Sequence, residues 1–139
     1  MSSRRLFALG GLMFASLVTG SKVGAFELNG AWATDANNCP KVFERKGSQI
    51  GFTEMSDVFG GGFIVEGDQI IGKFARCRIR ARKDNGPSVN LIAACATDMM
   101  LSSVQFSLKA LDADSVVRLF PGMEDMEIRY HRCQPNQAQ

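Results

Sequence analysis

The sequence of 139 residues lacks the motifs on which most catalytic and metal sites depend. It has one histidine, His131, and neither a nucleophile elbow nor a metalloprotease motif surrounds that residue. No Cys-x-x-Cys or Cys-x-x-His pair is present, which disfavours a zinc site. No Lys-Ser or Lys-Thr pair follows the glycines at 60–62, which disfavours a phosphate-binding loop. We therefore expect a non-catalytic protein that needs no metal and no other cofactor.

A charge excess is also missing once the first 25 residues are set aside. The full chain has 16 Lys and Arg against 14 Asp and Glu, but Arg4, Arg5 and Lys22 lie in that leading segment. The remainder is close to neutral. Net charge therefore gives no reason to expect a nucleic acid or a membrane surface as a partner.

Residues 1–25 have the pattern of an export signal. Arg4 and Arg5 form a short cationic start, and the apolar run at 6–18 is too short to span a bilayer comfortably. Small side chains before the mature sequence predict cleavage after Ala25, which leaves one domain at 26–139 in the periplasm or outside the cell, without a membrane span. The arginine pair resembles a twin-arginine signal, and an ordinary secretory signal stays open as the alternative.

Four cysteines lie downstream of this signal, and in an oxidising compartment they predict two disulfides. Short apolar and alternating runs rich in Val, Ile and Phe recur between turn signals, which indicates an all-β protein. Our first choice is a small antiparallel up-and-down barrel, and an open β-sandwich is the alternative. The predicted strands cover 28–34, 41–46, 48–53, 62–66, 69–74, 77–83, 89–95, 104–108, 116–120 and 126–133.

The hairpin around residues 85–87 predicts the disulfide pairing. Its two arms keep their apolar residues on the same parity, and a three-residue loop from Asn85 to Pro87 then places Ala81 opposite Leu91. In that register Cys77 lies directly opposite Cys95, close enough to bond. The remaining pair would join a residue after the first strand to the end of the last, where a barrel closes. The predicted disulfides are Cys77–Cys95 and Cys39–Cys133.

One arm of this hairpin also carries four arginines at strand period, on the face opposite the cysteine. They are Arg76, Arg78, Arg80 and Arg82. Guanidinium groups suit carboxylates and phosphates, so an acidic protein loop or an anionic envelope component is the functional interpretation. A solvated outer face that discourages aggregation is the plainer alternative.

Gly30-Ala31-Trp32 followed by Cys39 resembles the opening of small secreted barrels of the lipocalin and bacterial protease-inhibitor type. The segments 120–123 and 130–133 are similar to small exported proteins of Gram-negative bacteria whose function is uncharacterised. In that setting Trp32 is expected to fill the closed end of the barrel.

The function expected from these features is binding, with inhibition of a secreted or host hydrolase as its concrete form. The leading contact candidates are the first mature residues, the rings beside the glycine run, and the four arginines. By residue they are Phe26, Glu27, Leu28, Asn29, Phe59, Phe63, Arg76, Arg78, Arg80 and Arg82. The plainer view of the glycine run is that it bends the chain at a barrel corner while Phe63 points inward.

The alternative function is a carrier that holds a small apolar ligand inside the barrel. A large apolar cavity would favour the carrier, whereas a filled interior with projecting aromatic residues would favour the inhibitor. Because the chain is short, we expect a filled interior.

Overall fold

The computed structural model describes residues 24–134, so most of the predicted export signal lies outside the described residues. The described part contains ten strands, one short α-helix and two 3-10 helices. The strands are β1 (Gly30–Ala33), β2 (Phe43–Lys46), β3 (Gln49–Phe52), β4 (Gly62–Glu66), β5 (Gln69–Ile71), β6 (Arg76–Asn85), β7 (Ser88–Ala96), β8 (Leu101–Asp112), β9 (Ser115–Leu119) and β10 (Glu127–Cys133). The helix α1 spans Cys39–Val42, and the 3-10 helices span Ala36–Asn38 and Ser56–Phe59.

Eight of these strands form a closed antiparallel barrel, which confirms the first-choice fold. Around the wall the order is β1, β10, β9, β8, β7, β6, β5 and β4, and β4 pairs back onto β1. Strands β2 and β3 form a separate hairpin. The predicted strand at 41–46 starts two residues later than expected, because Lys41 and Val42 belong to α1. Pro40, in the first turn of that helix, supplies a backbone angle that suits a helix start.

The barrel wall has apolar residues on both faces, because successive strand residues point to opposite sides. Trp32 and Val65 belong to the interior cluster, whereas their neighbours Ala33 and Ile64 belong to a second cluster. That second cluster also contains Phe43 and residues of α1, so the segment 34–61 forms an outer layer against the wall.

Both predicted disulfides are present. Cys77–Cys95 joins directly opposed residues of β6 and β7. Cys39–Cys133 joins α1 to β10, and both of its cysteines lie in the outer cluster. The second bridge therefore fastens the outer layer to the wall beside the seam between β1 and β10.

The predicted hairpin register is correct at the disulfide and wrong near the turn. The turn has two residues, Gly86 and Pro87, and a glycine with positive φ at the first of two turn positions is typical of such a hairpin. A β-bulge at Arg80, which has no partner on β7, restores the predicted pairing at Ile79 and Cys77.

The bulge reverses the faces of every residue between itself and the turn. Ala81 lies opposite Ile92, an exposed residue, rather than opposite Leu91 as predicted. Arg82 instead lies opposite Leu91, which belongs to the interior cluster. The interpretation that four arginines share the outer face is therefore wrong for Arg82.

Candidate functional site

The barrel interior contains a cavity of about 210 Å³. Its wall is mostly apolar, with Arg118 and the hydroxyl of Tyr130 as the polar exceptions. The lining residues are Leu28, Gly62, Phe63, Val65, Ile70, Gly72, Ala75, Cys77, Leu91, Phe106, Leu108, Arg118 and Tyr130. The expectation of a filled interior is therefore wrong.

The two ends of the barrel differ in the length of their connections. Short turns at 67–68, 86–87 and 113–114 join strands at one end, where the segment 24–29 also enters. We call this the capped end. The connections 34–61, 72–75, 97–100 and 120–126 lie at the other end, the loop end. The cavity reaches the loop end at Gly62, Gly72 and Ala75.

Arg132 fastens the N-terminal segment across the capped end. Its guanidinium lies 4.3 Å from the ring centroid of Trp32, which is fully buried. It donates hydrogen bonds to the backbone carbonyls of Glu27, at 2.6 Å, and of Asn29. The indole of Trp32 donates to the carbonyl of Leu28 at 2.8 Å. Trp32 thus fills the capped end, with the segment 26–29 laid over it.

Arg82 makes a second contact with the same segment. Its guanidinium donates to the carbonyl of Phe26 at 2.6 Å and pairs with both carboxylate oxygens of Asp84, at 2.9 and 3.0 Å. Asp84 shares this face because it lies after the bulge, opposite Val89. The predicted contact residues Phe26–Asn29 are therefore held against the barrel by two arginines, and Leu28 is buried among interior residues.

The other three predicted arginines, Arg76, Arg78 and Arg80, are exposed along β6. Arg78 lies 3.5 Å from the carboxylate of Asp68, and both side chains remain more than half exposed. Such a pair contributes little to folding, since water competes with it. These three residues form a short positive surface on the outer wall.

Each of the three glycines between Phe59 and Phe63 is required by the local backbone structure. Gly60 and Gly61 have positive φ angles of 94° and 70°. A Cβ atom at Gly62 would collide with the carbonyl oxygen of Trp32. Phe59 is half-buried in the outer layer, with the ammonium of Lys41 5.0 Å from its ring centroid.

Phe63 points inward and belongs to the cavity wall. Its ring lies stacked 6.2 Å from Trp32 and edge-on to Tyr130 at 4.9 Å. The glycine run therefore places one ring inside the barrel and the other under the outer layer, as the corner interpretation predicts.

Sequence reasoning missed Arg118 and Tyr130, the two polar residues of the cavity. Arg118 lies in β9 opposite Leu108 of β8 and Ile128 of β10, and both of these belong to the interior cluster. Tyr130 lies two residues further along β10, on the same inward face. Burial raises the pKa of the Tyr130 hydroxyl, and the positive charge of Arg118 partly offsets that rise. The guanidinium and the hydroxyl are therefore close together.

No protein-family model, curated protein or solved structure matches the chain. The resemblance to lipocalin-like and inhibitor barrels stays an expectation from sequence. The site must accordingly be interpreted from its own chemistry.

The alternatives to the cavity are a site around His131 and a metal site, and the described residues assemble neither. His131 lies opposite Ala33, on the outer face of the wall and away from the cavity. Between residues 24 and 134, no three His, Cys, Asp or Glu side chains are grouped to bind a metal ion.

Within the same range, no helix has the length and apolar character needed to cross a membrane. The two disulfides indicate an oxidising, exported environment.

The loop end also carries large apolar side chains that face solvent. Phe74 is 72% exposed, Met99 93% and Leu101 84%. Phe74 precedes β6 and Met99 follows β7, and these strands pair at Arg76 and Ala96. We call Phe74, Met99, Met100 and Leu101 the apolar rim. Exposed apolar groups of this kind mark contact surfaces more often than inert ones when they cluster.

Proposed function

We propose that this protein is an exported, non-catalytic binding protein that carries a small, largely apolar ligand inside its barrel. The cavity of about 210 Å³ is the observation that carries this proposal. Protein interiors are close-packed, with few voids larger than a water molecule. A short chain that leaves this much apolar space unfilled gives up packing energy, and a bound ligand would restore it.

The size of the cavity limits the ligand. An apolar cavity of about 150 Å³ binds benzene, so this one has room for a body of about eight non-hydrogen atoms. Drug-sized ligands need cavities of roughly 300 Å³ or more. The proposed ligand is therefore a small metabolite with a short hydrocarbon chain or one aromatic ring, which would enter from the loop end.

Binding can be followed through Trp32, the one tryptophan in the chain. Its ring stacks on Phe63, which lines the cavity, so a ligand there is expected to change the fluorescence. Short-chain and single-ring apolar compounds are titrated into the oxidised protein, with calorimetry as a second measurement. If no compound of this size binds, the carrier proposal is wrong.

A matched pair of variants locates the binding. Ala75→Phe adds a ring to the cavity wall near the loop end, and we expect it to weaken binding at least about tenfold by occupying the space. Ala94→Phe makes the same change on an exposed position of β7 and should bind like the wild type. Equal binding by Ala75→Phe and the wild type would place the ligand outside the cavity and contradict the proposal.

The proposed location is the periplasm or the extracellular space, reached through the signal at 1–25. This part of the proposal is supported by the cationic and apolar pattern of the leader and by the paired cysteines. The intact mass of the protein from a periplasmic fraction tests it. Cleavage after Ala25 predicts a mature chain that begins at Phe26.

Inhibition of a secreted or host hydrolase is the second candidate, and the apolar rim favours it. In this function the contact with the hydrolase would be formed by Phe74, Met99 and Leu101. Phe63 and the segment 26–29 would not take part, because their contacts are with the barrel itself. A hydrolase captured from an envelope extract should then be inhibited by the wild type and not by a Phe74→Ser, Met99→Ser variant. Equal inhibition by the variant would exclude the rim.

A further inference from the structure

Arg118 has an unusual position for a charged side chain, since it lines an otherwise apolar cavity. Its backbone neighbours across the ladder, Leu108 and Ile128, both face the interior. The guanidinium carbon lies 4.6 Å from the ring centroid of Phe106 and 4.8 Å from that of Phe120. These two rings therefore hold the guanidinium at the loop-end side of the cavity.

No anion among the described residues neutralises the charge of Arg118. Its Nε atom is buried and has no hydrogen-bond partner in the described part of the chain. No carboxylate between residues 24 and 134 forms an ion pair with it, whereas Arg78, Arg82 and Arg132 each have one. The Arg118 side chain as a whole is partly exposed, but its Nε donor is shielded from water, and a shielded donor of a charged group without an acceptor carries a cost that arginine cannot escape by losing its proton. Contacts with aromatic rings offset only part of it.

Tyr130 places a hydroxyl donor beside this charge. A phenol is protonated at neutral pH, so this hydroxyl can donate a hydrogen bond to an anion that accepts from Arg118. Phe63 packs edge-on against the Tyr130 ring and limits its movement. One guanidinium and one phenol thus form the polar corner of an apolar chamber.

We infer that the ligand is a small apolar carboxylate whose anionic group binds Arg118 and Tyr130 while its hydrocarbon body fills the cavity. This inference rests on the carrier function proposed above. One guanidinium matches the single charge and the two oxygens of a carboxylate. A phosphate monoester carries more charge than one arginine neutralises, and its three terminal oxygens need further donors. Within the described lining, no second cationic side chain is available to it.

A pair of probes that differ in the head group tests the inference on the unmodified protein. Hexanoate and 1-hexanol have tails of similar length and fit the volume of the cavity, and only hexanoate is charged at neutral pH. We expect hexanoate to bind at least about tenfold more tightly, because hydrogen bonds to charged groups are the strong ones. Binding is measured by Trp32 fluorescence and by calorimetry in a buffer free of carboxylates.

Three variants then assign the effect. Arg118→Met should weaken hexanoate binding at least about tenfold and leave 1-hexanol within about twofold, since the chamber stays apolar. Arg129→Met removes an exposed arginine on the adjacent strand and should change neither affinity. Tyr130→Phe should weaken the binding of hexanoate alone, by a smaller factor.

The outcomes separate the inference from the carrier proposal. If both probes bind equally to the wild type, the carrier function stands and the carboxylate inference is overturned. If neither binds, both fail. If hexanoate is preferred but Arg118→Met keeps that preference, the anion is held elsewhere and the assignment to Arg118 is wrong. A variant that does not fold leaves the comparison of probes on the wild type decisive.

Discussion

The two disulfides should differ in what they contribute to stability, and the difference follows from their positions in the chain. Cys39 and Cys133 are 94 residues apart, whereas Cys77 and Cys95 are 18 apart. A cross-link restricts the unfolded chain, and the loss of entropy grows with the logarithm of the loop it closes. For these two separations, the loop-closure entropy corresponds to a stabilisation of about 4.7 kcal/mol for the long bridge and about 3.2 kcal/mol for the hairpin bridge.

The perturbation is paired replacement by alanine, as Cys39→Ala with Cys133→Ala and Cys77→Ala with Cys95→Ala. Both pairs are buried, so the loss of two sulfur atoms is similar in each and the entropy difference decides the order. Domains are usually stable by 5–15 kcal/mol, so a loss of about 4.7 kcal/mol takes a domain at the low end of that range close to unfolding. The second should remain a cooperative folder.

Urea unfolding of the two variants and the oxidised wild type, followed by circular dichroism and Trp32 fluorescence, measures both losses. The expected difference is about 1.5 kcal/mol, with the greater loss for the bridge between α1 and β10. An unfolded first variant beside a folded second one agrees with this order. Equal losses, or a greater loss for the hairpin pair, would refute the reasoning, because closure of the longer loop would then not be the dominant contribution.

Three further predictions concern single or paired side chains. Arg132→Met should lower the free energy of unfolding by about 3 kcal/mol, since the cation over a buried indole and the carbonyl contacts of the capped end are both lost. Arg129→Met is the control, and an equally small loss for both variants in urea unfolding would contradict the fastening of segment 26–29 by Arg132. Tyr130, the one tyrosine, should titrate above 10.0, its ordinary pKa, in phenolate absorbance. The unfolded chain then loses the phenol proton at a lower pH than the folded chain does. Ionisation of Tyr130 therefore lowers the free energy of unfolding as pH rises beyond 10.0. A titration midpoint at or below 10.0 would contradict the burial of the hydroxyl. Replacing Arg78 and Arg80 by Ala should change stability by less than about 1 kcal/mol, and a larger loss by thermal unfolding would mean that the exposed arginines are packed or paired.

The sequence was sufficient to predict the strands and the Cys77–Cys95 disulfide because both depend on a period of two, and Cys39–Cys133 followed as the remaining pair at the closure of the barrel. Apolar parity on both arms of the hairpin identified the inward faces at Ile79 and Ala93, and it placed Cys77 opposite Cys95. The same pattern carries no information on which sheet a strand joins. Strands β2 and β3 were therefore recognised as strands, whereas their place in an outer layer was not.

The bulge at Arg80 was not predicted, because the sequence pattern of β6 is regular on both sides of it. A single extra residue moves Arg82 and Asp84 to the face of β6 that lies opposite Leu91 and Val89, where both stay exposed at the capped end, and charged residues give no apolar signal of their face. Arg118 escaped for a related reason. It follows two valines and precedes Leu119 and Phe120, so both parities of β9 are apolar, and only the pairing with Leu108 and Ile128 shows which way the arginine points.

The direct pairing of β1 with β4 has a consequence for how the molecule could change over evolution. Ala33 and Gly62 are ladder partners, so the 28 intervening residues, 34–61, leave the wall and return to it at adjacent points. A tight turn could connect these strands without altering the order of any other strand in the barrel. The geometry of the barrel therefore does not fix the length of segment 34–61. Loss of the segment would nevertheless expose the apolar outer face at Ala31 and Ile64. New recognition surfaces could be grafted here while the interior chamber is left intact.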